Sequence, residues 1–256
     1  MIALSFATYD LWFLGYPDQA LEKGQEALAL AAELDHPFSW VWAVAFAVRL
    51  HRRRREIQIV EQYAKKQAML GAEYGIHLAE AESLMNGGWV LSERGQLEEG
   101  IAQFSRGLAV YQSTGMALHQ SEFLALLAEM YREAGQPEKA ASALDKAREI
   151  MCQTEERYYE AELCRLEGEL LLAQDPSGAP EAENRFQQAI DVARRRGYRM
   201  CELRATVSLC RLWLAQQGAE RRQEAHEMLS AVYGWFSEGF DTPDLQQAKA
   251  LLEALA

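Results

Sequence analysis

The chain has 256 residues, 49% of them hydrophobic and only six of them proline, a composition of an ordered protein able to bury one large core or a string of small ones. A formal net charge of -12 leaves little basic surface with which to displace the counterions of a nucleic acid, and argues against nucleic acid as the main partner. Four cysteines, at 152, 164, 201 and 210, include no CxxC pair and read as small core residues in a reducing cytoplasm.

The N-terminal stretch "MIALSFATYDLWFLGY" has no basic n-region and carries Asp10 within its apolar run, so it reads as a poor signal peptide. It opens a first helical copy over 1–36 that starts abruptly at Met1, shorter than its counterparts. That abruptness reads as the tail of a larger protein or a stand-alone descendant of one. The most apolar run, "FSWVWAVAFAV" at 38–48, opens a second copy over 37–76. As a helix it spans only about 16 Å, against about 30 Å of hydrocarbon, too short to cross a bilayer. It ends in "HRRRRE" at 51–56, read as a solvated helix end whose cations oppose the helix dipole, or else as part of a patch for an anion or an acidic partner.

Further copies follow over 77–116, 117–156, 157–198 and 199–240. The small residue opening each second helix falls at Ala20, Val60, Gly100, Ala140, Ala182 and Ala225, at spacings of 40, 40, 40, 42 and 43. The two longer intervals are absorbed in turns at 175–180 and 217–223, where insertion costs little. Positions four and then three residues further on are apolar or small in most copies, which is one face of an α-helix. In the first helices a small site recurs at Gly88, Ala128, Gly168 and Cys210, with Leu91, Tyr131, Leu171 and Trp213 three residues later, as close helix crossings require. Gly75, Gly115 and Gly197 stand where left-handed C-caps are wanted.

The expected fold is therefore an all-α solenoid of about six hairpins. The fourth copy, through Ala128, Tyr131, Gly135, Glu138, Ala140, Leu144 and Ala147, resembles the tetratricopeptide repeat, with a period of 40 instead of 34. HEAT and armadillo arrays are the rival, ranked lower for want of the small-residue ladder. At the end, Gly239 breaks the helix, and Thr242, Pro243 and Asp244 start a capping helix over 242–255 with an apolar stripe of Leu245, Ala248, Leu251, Leu252 and Leu255. Trp235, Phe236 and Phe240 are expected to plug the joint in front of it.

The segments "RLEGELLLA", "AENRFQQAIDVARRRG", "ELRATVSLCRLW" and "VYGWFSEGFDTPDLQQAKALLEAL" resemble the C-terminal repeat region of bacterial STAND-type ATPase and class III adenylate/guanylate cyclase signalling proteins. The resemblance implies a regulatory arm that senses a partner or an effector. The chain has no GxxxxGK[ST] loop, so the family's ATP chemistry does not transfer. No HExxH, no GxSxG and no helical pair of ligands at i, i+4 is present, so no catalytic residue, metal or cofactor is expected.

If Gly88 and its equivalents face the core, the neighbouring helix face lines an inner groove. It carries Trp42, Arg49, Arg52 and Arg53, then Met85 and Trp89, then Glu122, Glu129, Glu133, Glu162, Glu169, Arg204 and Arg211. The residues expected to bind a partner are Trp42, Arg49, Arg52, Arg53, Met85, Trp89, Glu129, Glu169 and Arg211, with Trp42 and Trp89 exposed on the concave side. The function expected is a non-enzymatic, cytoplasmic module taking a protein, a peptide or a small effector, without nucleic acid or membrane. The alternatives are the effector- or peptide-binding solenoid of a transcriptional regulator, a spacer or dimerisation element, and an enzyme with a groove site.

Overall fold

The computed structural model describes residues 1–216 and 219–256, the side chains of residues 176 and 219 excepted. Residues 217 and 218 of the second lengthened turn lie outside the described residues. Thirteen α-helices and no strand occur among the described residues, and the all-α, TPR-like solenoid expected from the repeat is what they form. The helices pair as α1 (Ile2–Leu14) with α2 (Pro17–Glu33), α3 (Pro37–Arg53) with α4 (Ile57–Tyr74), and α5 (His77–Glu93) with α6 (Leu97–Ser113). Then come α7 (Gln120–Glu133) with α8 (Pro137–Thr154), α9 (Glu160–Gln174) with α10 (Ala179–Arg196), α11 (Arg199–Ala215) with α12 (Ala219–Tyr233), and the single helix α13 (Pro243–Leu255).

Turn chemistry sets this rhythm. Left-handed residues stand at 15, 55, 95 and 135 between the helices of a hairpin, and at 35, 75, 115, 155 and 197 between hairpins. Most are glycine, as that backbone region demands, but Asp35, Arg55 and Glu155 adopt it with side chains attached. Proline at the first turn of α2, α3, α8 and α13 opens helices where its missing N–H is not needed.

The odd-numbered helices form an inner layer, touching one another as α1/α3, α3/α5, α7/α9, α9/α11 and α11/α13, while the even-numbered helices back them from outside. Burial follows this division: twelve of the 17 residues of α11 are buried, against six of the 18 in α10. An inner helix is covered on two sides, an outer one on a single stripe. The small sites lie at crossings as expected. A Cβ on Gly88 would come within 2.6 Å of the Gly100 carbonyl oxygen and the Phe104 nitrogen, so α5 and α6 meet backbone to backbone. Gly168 faces the Phe186 ring of α10, and Cys210 donates from Sγ to the Ala225 carbonyl. Cys164, Cys201 and Cys210 are buried, whereas Cys152, expected in the core, is exposed.

The superhelix turns tightly enough for its last hairpin to meet its first. Phe13 packs on Tyr198, Tyr16 on Trp235, and Gly15 sits against Trp235 and Phe236. The Glu238 carboxylate caps α2, accepting from the Asp18 and Gln19 backbone N–H groups at 2.9 and 3.1 Å, and Asp18 in return accepts from the Gly239 N–H at 3.0 Å. Gly239 lies so close to Pro17 that no Cβ would fit. The stretch before α13 is therefore a clasp on the first hairpin as well as the start of a cap. This corrects the expected plug: Phe236 is buried, but Trp235 and Phe240 remain 37% and 48% exposed. Thr242 holds the N-cap position of α13 with its hydroxyl turned back onto the Gly239 carbonyl, while Leu245, Ala248, Leu251 and Leu255 are buried.

Gly88→Ala is expected to lower stability by about 1–3 kcal/mol, because the obstacle is backbone that cannot step aside. Gly24→Ala, whose new methyl would meet Thr8 Cγ2 at 3.3 Å, should change it by less than about 1 kcal/mol, contact offsetting the gain in helix propensity. Urea midpoints at unchanged m-value measure both, and equal losses would refute the crossing.

Candidate functional site

Four carboxylates recur on the inner helices at forty-residue intervals, Glu82, Glu122, Glu162 and Glu202, and all four are buried. A buried carboxylate survives only with charged hydrogen-bond partners, and arginine supplies them each time. Glu82 accepts from Arg49 at 2.8 Å and from Gln67 at 2.8 Å. Glu122 accepts from Arg52 and Arg53, both at 2.9 Å, and from the Tyr9 hydroxyl of α1. Glu162 takes Arg165 at 3.0 Å and Arg204 at 2.8 Å, and Glu202 takes Arg194 and Arg199. The Arg53 guanidinium also lies over the rings of Tyr9, Trp12 and Phe13, so α1 is held onto the inner layer by both charge and aromatic faces.

The run at 51–56 is thus not a solvated helix end. His51, Arg52 and Arg54 are buried and Arg53 is half-buried, because the closing superhelix brings Glu122 and Asp241 to the arginines while Glu56, within the run, lies against His51 and Arg54.

Between these pairs the concave face leaves a cleft of about 290 Å³. Its walls come from α3, α5, α7, α9 and α11 and the first turn of α13, and every lining cation is an arginine: Arg52, Arg53, Arg55, Arg132, Arg165, Arg204 and Arg211. Facing them are Glu93, Glu122, Glu129, Glu133, Glu169 and Asp244. Of the nine residues expected to bind a partner, Arg52, Arg53, Trp89, Glu129, Glu169 and Arg211 line this one cleft. Trp42, Arg49 and Met85 do not. Met85 is in the core, and Arg49 is sealed between Glu82 and the Phe123 ring. The expected exposure of the two tryptophans is corrected as well. Trp89 is only 6% exposed, wedged in the core with an edge to the cleft. Trp42 is half-buried among Phe6, Phe38 and Phe46, because α1 crosses the helix face it was to present.

Several lining groups have donors to spare. Tyr159, in the 3-10 turn before α9, is 5% exposed, and its hydroxyl has no hydrogen-bond partner among the described residues. Arg132 makes none either, its nearest carboxylate oxygens being 3.8 and 4.0 Å away on Glu169 and Glu133, and its Nε is buried and unpaired. Arg211 donates only to the neutral amide of Gln247, at 3.3 Å. At the mouth, burial raises the pKa of Glu93 and of Glu133; crowding adds to this, from Glu129 on Glu93, and from Glu129 and Glu93 on Glu133. Deeper in, burial opposes the charge on Glu122, but Arg53 and Arg52 outweigh it and hold the carboxyl far below its usual range. Glu162 and Glu169 are lowered in the same way, burial being overcome chiefly by Arg165. No group of three side chains suited to hold a metal ion occurs among the described residues.

Sequence reasoning named Glu122 and Glu162 but missed Glu82, Glu202, Tyr9, Tyr159 and Arg165. The glutamates had a signal, since they repeat at the same interval as the turns. Tyr9 had none, because its role depends on where the superhelix closes.

No protein-family model matches the chain, and no curated protein matches it. Among solved structures, two forms of a Podosopora anserina protein described as a kinesin light chain with nearly identical TPR-like repeats are similar at 16% identity. One covers 91% of this chain and 92% of its own at a TM-score of 0.41; the other covers 98% and 94% at 0.39. The superpositions are loose, and neither bears on what the cleft does.

Glu122→Gln leaves two buried arginines on one neutral amide and is expected to cost about 3–5 kcal/mol. In the unfolded chain these carboxyls protonate near 4.5, before their folded counterparts. The stability they contribute is therefore complete above about that pH and drains as the pH falls through the folded values. Urea midpoints measured from neutral pH downward should fall from about 4.5 in the parent and fall less steeply in the variant. A flat parent profile would refute the assignment.

Proposed function

We propose that the chain is a single domain of six helical copies, 1–36, 37–76, 77–116, 117–156, 157–198 and 199–240, acting as a non-enzymatic interaction module that receives its partner in the concave cleft. One observation carries this reading. Arginines and carboxylates from five inner helices converge on a cleft in which Tyr159, Arg132 and Arg211 keep unused donors. Arginine forks aimed into a walled cleft suit recognition of a charged segment, and they supply no nucleophile. The resemblance of residues 160 to 255 to the repeat arms of STAND-type ATPases and cyclases supports a regulatory, cytoplasmic role beside such an enzyme. No helix of the described residues is long and apolar enough to cross a membrane.

The partner is sought by capture on the intact, immobilised protein, with the exchange Arg211→Glu as control. Arg211 is exposed and structurally undemanding, so the melting temperature should hold while capture falls about tenfold, the worth of one charge-assisted contact. Capture that ignores the substitution overturns docking in the cleft. Calorimetry with ATP should show neither saturable micromolar binding nor turnover above a mock purification, and turnover would overturn the non-enzymatic reading.

A further inference from the structure

The cleft is smaller than an open solenoid groove, because α1 lies across the concave face and the start of α13 walls one side of it. At about 290 Å³ it lies at the lower end of small-molecule sites and has no room for a helix. What enters must be a small molecule or one end of a chain.

The unused groups define its chemistry. Arg132 and Arg211 are donors without adequate acceptors, and they belong together. Arg132 and Ser208 both approach Glu169, at 3.8 and 2.9 Å, and Arg211 stands one turn beyond Ser208 on α11. Tyr159, itself 5% exposed, lines the same cleft from the turn before α9. Two such guanidinium groups want an anion with several acceptor oxygens. A bare anion would have to pass Glu93, Glu129 and Glu133, whose nearest cations are Arg55 at 3.4 Å, Arg165 at 3.3 Å and Arg132 at 4.0 Å. Those carboxylates would repel it, and a bare cation would leave the donors unsatisfied. A ligand with both signs of charge a few bonds apart meets both demands.

Resting on the reading of the cleft as a binding site, we infer that it takes a compact zwitterion: a carboxylate held by Arg132 and Arg211, with an ammonium or guanidinium beside Glu93 and Glu133. A free basic amino acid and the C-terminal residue of a peptide ending in lysine or arginine share this chemistry.

Calorimetry on the full chain separates them. The probes are lysine, Gly-Gly-Lys with a free and with an amidated C-terminus, putrescine as cation alone and glutarate as anion alone. Saturable binding of lysine or of the free-acid peptide, with none of the other three, supports the inference, and the stronger of the two identifies the source. Arg211→Gln and Glu133→Gln should each weaken that binding about tenfold at unchanged melting temperature. Binding of putrescine or glutarate as tight as the zwitterion's, binding of no probe, or variants that bind as the parent does would each overturn it. Failure here is distinguishable from failure of the docking reading. A captured partner that Arg211→Glu releases but no zwitterion displaces overturns the zwitterion and leaves docking intact. Zwitterion binding with capture that ignores Arg211→Glu does the reverse.

Discussion

A carboxylate shut away from water must be surrounded by donors, and where those donors come from decides what is held to what. Glu122 sits on α7 and draws its donors from Arg52 and Arg53 at the end of α3 and from Tyr9 in the middle of α1. The Tyr158 hydroxyl, ahead of α9, approaches at 3.4 Å. Four segments that are not neighbours in sequence thus meet on one side chain. Pairwise packing between adjacent helices could tolerate a range of superhelical pitches. This meeting point tolerates only the pitch that brings α1 across the concave face, and both the cleft's size and the position of the clasp follow from it.

The same arrangement explains why the interior is so rich in charge. Apolar side chains would have filled the lumen with less desolvation, and replacing buried ion pairs in that way is often neutral or stabilising. The pairs kept here are geometrically demanding, arginine forks on carboxylates, and they leave a polar space where an apolar core would leave none. Arg165 shows the logic: it serves Glu162, Glu169 and Glu129 at 3.0, 2.5 and 3.3 Å, bracing α9 against α7 while presenting its edge to the cleft.

Local features were legible in the sequence and long-range ones were not. The forty-residue period located the helices and three inter-hairpin glycines, since turn chemistry and small-residue crossings are written within a few residues of where they act. It did not flag Arg55 or Glu155, because nothing in an arginine or glutamate announces a left-handed backbone. The groove face was placed well enough to bring six of nine expected residues to one cleft. Trp42 failed for another reason. Its helix face was read correctly as inward, but curvature is the sum of small rotations between copies, and only that sum reveals that α1 lies over it. Met85 and Trp89 erred in depth more than in direction.

An open repeat array has terminal units with one neighbour each, and such units fray first, so that its cooperativity weakens with length. The clasp removes both terminal units at once. With Glu238 on the start of α2 and Asp18 on Gly239, the first hairpin acquires a second neighbour, and the linear array becomes a ring with one non-covalent seam. In a ring the free energy of losing any hairpin includes two interfaces, so local opening converges on global opening. Slowest amide exchange should then be shared around the circle instead of peaking at its middle.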